Sequence, residues 1–136
     1  MTYRFIADVA CGFDNADEDD CVMAGVAESD GGGFSLTFMC DFDEPDAQEV
    51  SLGFDTHCLV TPDQGTAYGC VREVTIAGDV LRVVLDPASL AALNLEDPVV
   101  EAVLRAPAAD VARFREVLSR VLAFGRSEAR PAVAGL

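Results

Sequence analysis

Val74-Thr75-Ile76-Ala77-Gly78-Asp79-Val80-Leu81-Arg82-Val83 is the stretch on which the fold turns. Gly78-Asp79 separates two runs of alternating character, the pattern of a hairpin with a two-residue turn. In that register Ile76 faces Leu81 and Val74 faces Val83, while Thr75 faces Arg82 on the other side. One side is apolar and the other mixed, as an antiparallel sheet with one covered and one exposed face requires.

Toward the N-terminus, Ala67 to Ile76 reads as a single strand, preceded by a turn at Pro62-Asp63-Gln64-Gly65 and an extended segment, Cys58 to Val60. Phe34, Leu36, Phe38, Cys40 and Phe42 alternate with Ser35, Thr37, Met39 and Asp41; Val50, Leu52 and Phe54 alternate with Glu49, Ser51, Gly53 and Asp55. These two runs flank Asp43-Glu44-Pro45-Asp46, whose proline and acids suit a turn, so a second hairpin with a negative tip is expected. Asp30 to Gly33 ends another strand, Cys21 to Ala27, in a turn. Tyr3, Phe5, Ala7, Val9 and Cys11 alternate as a first strand.

Toward the C-terminus, Asp86-Pro87 supplies an N-cap and a first-turn proline for a short helix, Ala88 to Leu93, ending near Asn94. Pro98 opens a strand, Val99 to Leu104. Pro107 to Phe124 is the longest helix, with Val111, Phe114, Val117, Leu118, Val121 and Leu122 on one stripe, and Gly125 ends it. The expectation is an α+β fold: a meandering antiparallel sheet of about six or seven strands, with the short helix and the long C-terminal helix packed on one face. Residues 1–125 form one domain, and 126–136, without periodicity, a flexible or partner-held tail. Ile6, Met39 and Val84 fall on the opposite face of that sheet, which leaves homodimerisation open.

A chain of 136 residues suits one domain, and 51% apolar residues suits a folded one. No apolar run reaches the roughly 20 residues of a membrane span, and the N-terminus carries no export pattern, so a soluble cytoplasmic protein is expected. Five cysteines, an odd number with no C-x-x-C pair, resemble neither a disulfide framework nor a zinc site and read as reduced, buried thiols. Lysine is absent. Through Asp63 there are 15 acidic residues against one arginine, Arg4; beyond it, nine acids against eight arginines. Such a surface repels nucleic acid and membranes and attracts basic protein surfaces; equally, it keeps a small protein dispersed.

No catalytic constellation assembles. His57 and Cys58 are adjacent, but in an extended segment they project to opposite faces, so neither can transfer a proton to the other. One histidine and no paired cysteines provide no transition-metal set, and Asp14 to Asp20 lacks the glycine and terminal glutamate of a calcium loop. Gly31 to Gly33 is followed by no G-K-[ST] and is surrounded by acids, so it is no phosphate cradle. No cofactor is expected.

The segments Leu52-Gly53-Phe54-Asp55-Thr56-His57-Cys58-Leu59-Val60 and Ala67-Tyr68-Gly69-Cys70-Val71-Arg72-Glu73-Val74 resemble the immunity protein 10 family of bacterial polymorphic-toxin systems. The likeness continues through Leu81 to Pro87 with Leu90 and Leu93, and into the last helix at Phe114, Leu118 and Leu122. It departs at His57, where the family tends to an aromatic residue, and at Cys70, where a glycine is common. The resemblance implies a cytosolic, non-catalytic antidote that binds a cognate toxin and blocks it. A nuclease toxin must be basic to hold phosphates, so an acidic surface would compete for the same groove. Asp41, Asp43, Glu44, Asp46 and Asp55 are the candidate contact acids, with Tyr68 as an aromatic anchor; turn packing is the other reading of Tyr68. The competing function is a non-catalytic structural or regulatory protein, a homodimer included.

Overall fold

Residues 2–13, 21–29, 32–41, 56–62, 65–124 and 131–135 are described by a computed structural model of the chain. The strands are β1 (Thr2–Ala7), β2 (Val9–Phe13), β3 (Cys21–Ser29), β4 (Gly32–Asp41), β5 (Cys58–Thr61), β6 (Gly65–Tyr68), β7 (Val71–Ala77), β8 (Val80–Leu85), β9 (Val99–Leu104) and β10 (Ala132–Ala134). A 3-10 turn, Pro87–Ser89, lies between β8 and β9, and helix α1 (Ala108–Leu122) precedes β10.

The α+β class holds, but the strands form two sheets of five rather than one meander. Sheet I has the order β1-β9-β8-β7-β10 and sheet II the order β2-β3-β4-β5-β6. Sheet I is mixed: β1 runs parallel to β9 and β10 parallel to β7. The expected first strand is broken at the exposed Asp8. In β1 the odd residues Phe5 and Ala7 are buried, whereas in β2 the even residue Ala10 is buried. This parity flip marks the point where the chain leaves one sheet for the other, because a register of two admits no such change within a strand. The expected strand Ala67 to Ile76 breaks in the same way at Gly69-Cys70, with Gly69 at φ 64, a left-handed turn that costs glycine little.

The β7–β8 hairpin has the expected register, with Ile76 opposite Leu81, Thr75 opposite Arg82 and Val74 opposite Val83. Gly78 adopts φ 62, as the leading residue of such a turn must. Asp86 caps as expected, its side chain accepting from Ala88 N–H, but the helix behind it shortens to the 3-10 turn. Asn94, the residue expected near its end, sits at φ 57. The run from Phe42 to Asp55, and with it the second half of the expected second hairpin, lies outside the described residues. Along Thr37 to Met39, β4 instead pairs with Cys58 to Val60 of β5. In the C-terminal segment, Ala132–Ala134 adds to the edge of sheet I beside Glu73 to Thr75. Gly125 lies outside the described residues.

The inner faces of both sheets and the stripe of α1 close on a single core. Phe114, Val117, Leu118, Val121 and Leu122 are buried, and Val111 is half-buried. The helix lies on the inner face of sheet II and crosses β2 at Gly12, where an added Cβ would stand 2.8 Å from the Arg113 carbonyl oxygen and from Val117 Cγ2. No helix among the described residues is long and apolar enough to cross a membrane.

Candidate protein-binding site

Since Ala10, Ala24, Phe38 and Leu59 face the core, their strand neighbours must face away from it. On that outer side of sheet II the register aligns one row across all five strands: Phe13 opposite Met23, Met23 opposite Met39, Met39 opposite Cys58, and Cys58 opposite Tyr68. Aromatic rings stand at both ends, Phe13 at 54% and Tyr68 at 46% exposure. The methionines between them are half-buried and Cys58 is buried. The next row, Cys11, Gly25, Thr37, Val60 and Thr66, is small and uncharged. The result is an uncharged platform of flexible thioethers flanked by aromatics, a surface type suited to adaptable protein contacts.

Two acid-rich connections of the sequence attach at one end of this platform. β2 ends at Phe13 and β3 starts at Cys21; β4 ends at Asp41 and β5 starts at Cys58. Because Cys21 pairs with Asp41 and Met39 with Cys58, both connections attach at the end of the sheet that carries the row. Between them, residues 14–20 and 42–55 hold ten acids and no basic residue. Of the sequence candidates, Tyr68 lies in the row. Asp41 closes β4, while Asp43, Glu44, Asp46 and Asp55 lie outside the described residues. Phe13, Met23 and Cys58 were not expected as contact residues from the sequence, because their alignment depends on strand registers that no local spacing encodes.

His57 and Cys58 do not form a catalytic pair. His57 is fully buried at 0% exposure, and its Nε2 accepts a hydrogen bond from Val71 N–H at 3.1 Å. Its carbonyl accepts from Gly69 N–H at 2.9 Å. One residue thus fastens both sides of the Gly69-Cys70 crossover between the sheets. Burial pulls the His57 pKa down to about 4, so the imidazole is neutral at physiological pH. Burial also raises the Cys58 thiol, partly offset by a hydrogen bond with Tyr68, and pushes Cys70 up to about 12. Thiols held protonated in this way are poor nucleophiles. Among the described residues no group of three or more histidine, cysteine or acidic side chains could hold a metal.

The family model described as Immunity protein 10 matches residues 7–112. The chain belongs to the immunity protein 10 family. The match runs from the end of β1 into α1 and so takes in the whole of sheet II, most of sheet I and the His57-fastened crossover. No curated protein and no solved structure matches the chain.

Proposed function

We propose that this immunity protein 10 family member neutralises a cognate bacterial polymorphic toxin in the cytoplasm by non-catalytic blockade, docking through the outer face of sheet II. Tyr68 and Phe13 anchor the contact, and Asp41, Asp43, Glu44, Asp46 and Asp55 draw in a basic toxin surface, such as the groove of a nuclease. The observation that carries the function is family membership. What supports the choice of face is the in-register row Phe13-Met23-Met39-Cys58-Tyr68, at the end of the sheet where connections attach whose charged residues are all acidic. Aromatic anchors surrounded by adaptable apolar contacts provide affinity, while an uncompensated negative field raises the rate of encounter with a basic partner. Residues 1–125, with β10 (Ala132–Ala134) completing the edge of sheet I, serve as the binding domain.

Co-expression with the neighbouring toxin gene should restore growth and give a co-purifying complex. Tyr68→Ala should speed dissociation by roughly tenfold or more. Reversing Asp43, Glu44 and Asp46 together should slow association at low salt, with the difference shrinking as salt rises. Growth left unprotected by the wild-type chain refutes the function. Dissociation unchanged in Tyr68→Ala and in Phe13→Ala removes this face from the contact.

A further inference from the structure

A second surface feature lies at the other end of β4. Phe34 and Met39 are five residues apart on that strand, about 17 Å at the rise of an extended chain, so it is separate from the outer platform. Here the two sheets part and leave a cleft of about 260 Å³ lined by Tyr3, Phe34, Leu95, Glu96, Asp97 and Val100. Tyr3 and Val100 are register partners in sheet I, and the Tyr3 and Phe34 rings meet across the gap with centroids 4.6 Å apart, tilted by 49°. Phe5 stands edge-on behind Phe34 at 4.9 Å, which holds that ring in place. Tyr3 keeps 38% of its surface exposed and hydrogen-bonds with Glu28.

The apolar part of the lining holds the buried Val100 and the half-buried Phe34 and Leu95, and the polar part holds Asn94 and the exposed Glu96 beside Asp97. The arginine ion pairs among the described residues go elsewhere, to Glu101, Asp86, Asp79 and Glu116, and Glu96 and Asp97 make none. A volume of about 260 Å³ falls below the roughly 300–1,000 Å³ of small-molecule sites and suits one long side chain. An aliphatic occupant would leave two carboxylates desolvated without a counter-charge, whereas an anion would be repelled. A side chain with an apolar stem and a cationic head satisfies both parts of the lining.

We infer that this cleft receives a basic side chain of the partner protein, arginine by preference, its stem against Leu95 and Val100 and its guanidinium against the Tyr3 ring and the Glu96 and Asp97 carboxylates. A planar guanidinium can stack on the ring and pair with a carboxylate at once, which an ammonium cannot. The inference rests on the toxin-binding reading for the identity of the partner, but the cleft can be tested without the toxin. The probe is the peptide acetyl-Gly-Arg-Gly-amide, compared with its citrulline and leucine counterparts, followed by NMR shifts of Tyr3, Phe34 and Val100. The variant is Glu96→Gln with Asp97→Asn, isosteric changes at side chains that make no ion pair, with thermal unfolding as the control for folding. The arginine peptide should shift those resonances with at least fivefold higher affinity than either counterpart, and the double variant should lose that advantage. In the complex, the same variant should weaken toxin affinity at least fivefold. Equal binding of the arginine and leucine peptides, or toxin affinity within twofold of wild type in the double variant, overturns the inference. A wild-type chain that binds no toxin refutes the proposed function instead, and the peptide comparison still decides whether the cleft selects a cation.

Discussion

Lowering the pH should destabilise this protein through one residue, His57. Its Nε2 accepts from Val71 N–H, so the ring proton resides on Nδ1, which is buried without a hydrogen-bond partner among the described residues. Adding a second proton places a charge in the core and removes the acceptor from Val71. In the unfolded chain His57 protonates near 6.5, and in the folded protein burial delays this to about 4. Between those values the unfolded state holds more protons, so stability falls as pH falls through the window and contributes nothing above it. At about 1.4 kcal/mol per pKa unit the full loss is about 3 kcal/mol. His57→Phe abolishes this dependence but leaves Val71 N–H unpaired, costing about 1–3 kcal/mol at neutral pH. Urea unfolding of both proteins from about pH 7 to about pH 4.5 gives the comparison. Carboxylate protonation and relief of the net charge of -15 are common to both and cancel in the difference. The wild-type advantage over His57→Phe should shrink as pH falls. A difference that stays flat across the window refutes the reasoning.

Two further perturbations probe close packing. Gly12→Val places a side chain against the Arg113 carbonyl and Val117 at 2.8 Å, forcing α1 off sheet II; a loss of about 1–3 kcal/mol is expected in guanidinium unfolding, and an unchanged midpoint would show that the helix does not approach there. Thr61→Val removes the buried bond from Thr61 Oγ1 to the Leu93 carbonyl at 2.6 Å and should cost about 1–3 kcal/mol, read by the same method, with a neutral result denying that this bond ties β5 to the segment before β9.

Where a feature depended on neighbours in sequence, it was legible. The β7–β8 register follows from a two-residue turn, the α1 stripe from a period of 3.6, and the Asp86 cap from the proline after it. Features that depended on which sheet a strand joins were not. Alternation runs from Tyr3 to Cys11 without interruption in the sequence, yet inward-facing residues change parity at Asp8, because the second sheet approaches from the other side. β10 is three exposed residues held by pairing with β7 and by Arg115, which donates to the Gly135 carbonyl; so short an edge strand leaves no periodic trace. For the candidate site, Tyr68 and Met39 were visible singly, but the row they share is a product of registers.

The outer faces of the two sheets are unequal as docking surfaces, and charge separates them. Ile6, Met39 and Val84 were expected on one face, but Ile6 and Val84 belong to sheet I and Met39 to sheet II. The outer side of sheet I has an apolar row, Ile6, Val103, Val80 and Ala77, with Ile6 54% exposed. Beside it runs a charged row in which Glu101 pairs with both Arg4 and Arg82 at 3.3 and 3.7 Å. A partner laid flat on sheet I would have to desolvate three charges whose mutual attraction in water is small, an unfavourable exchange without new counter-charges. The strands of sheet II fall within residues 9–68, a stretch of sequence with 14 acids and no arginine or lysine, and the two outer rows given above carry no charged side chain. A partner on sheet I would bury the Arg4–Glu101–Arg82 ion pairs, whereas the two outer rows of sheet II can be covered without burying an ion pair. For the basic partner proposed above, attraction from a distance and low desolvation cost on contact would coincide on sheet II.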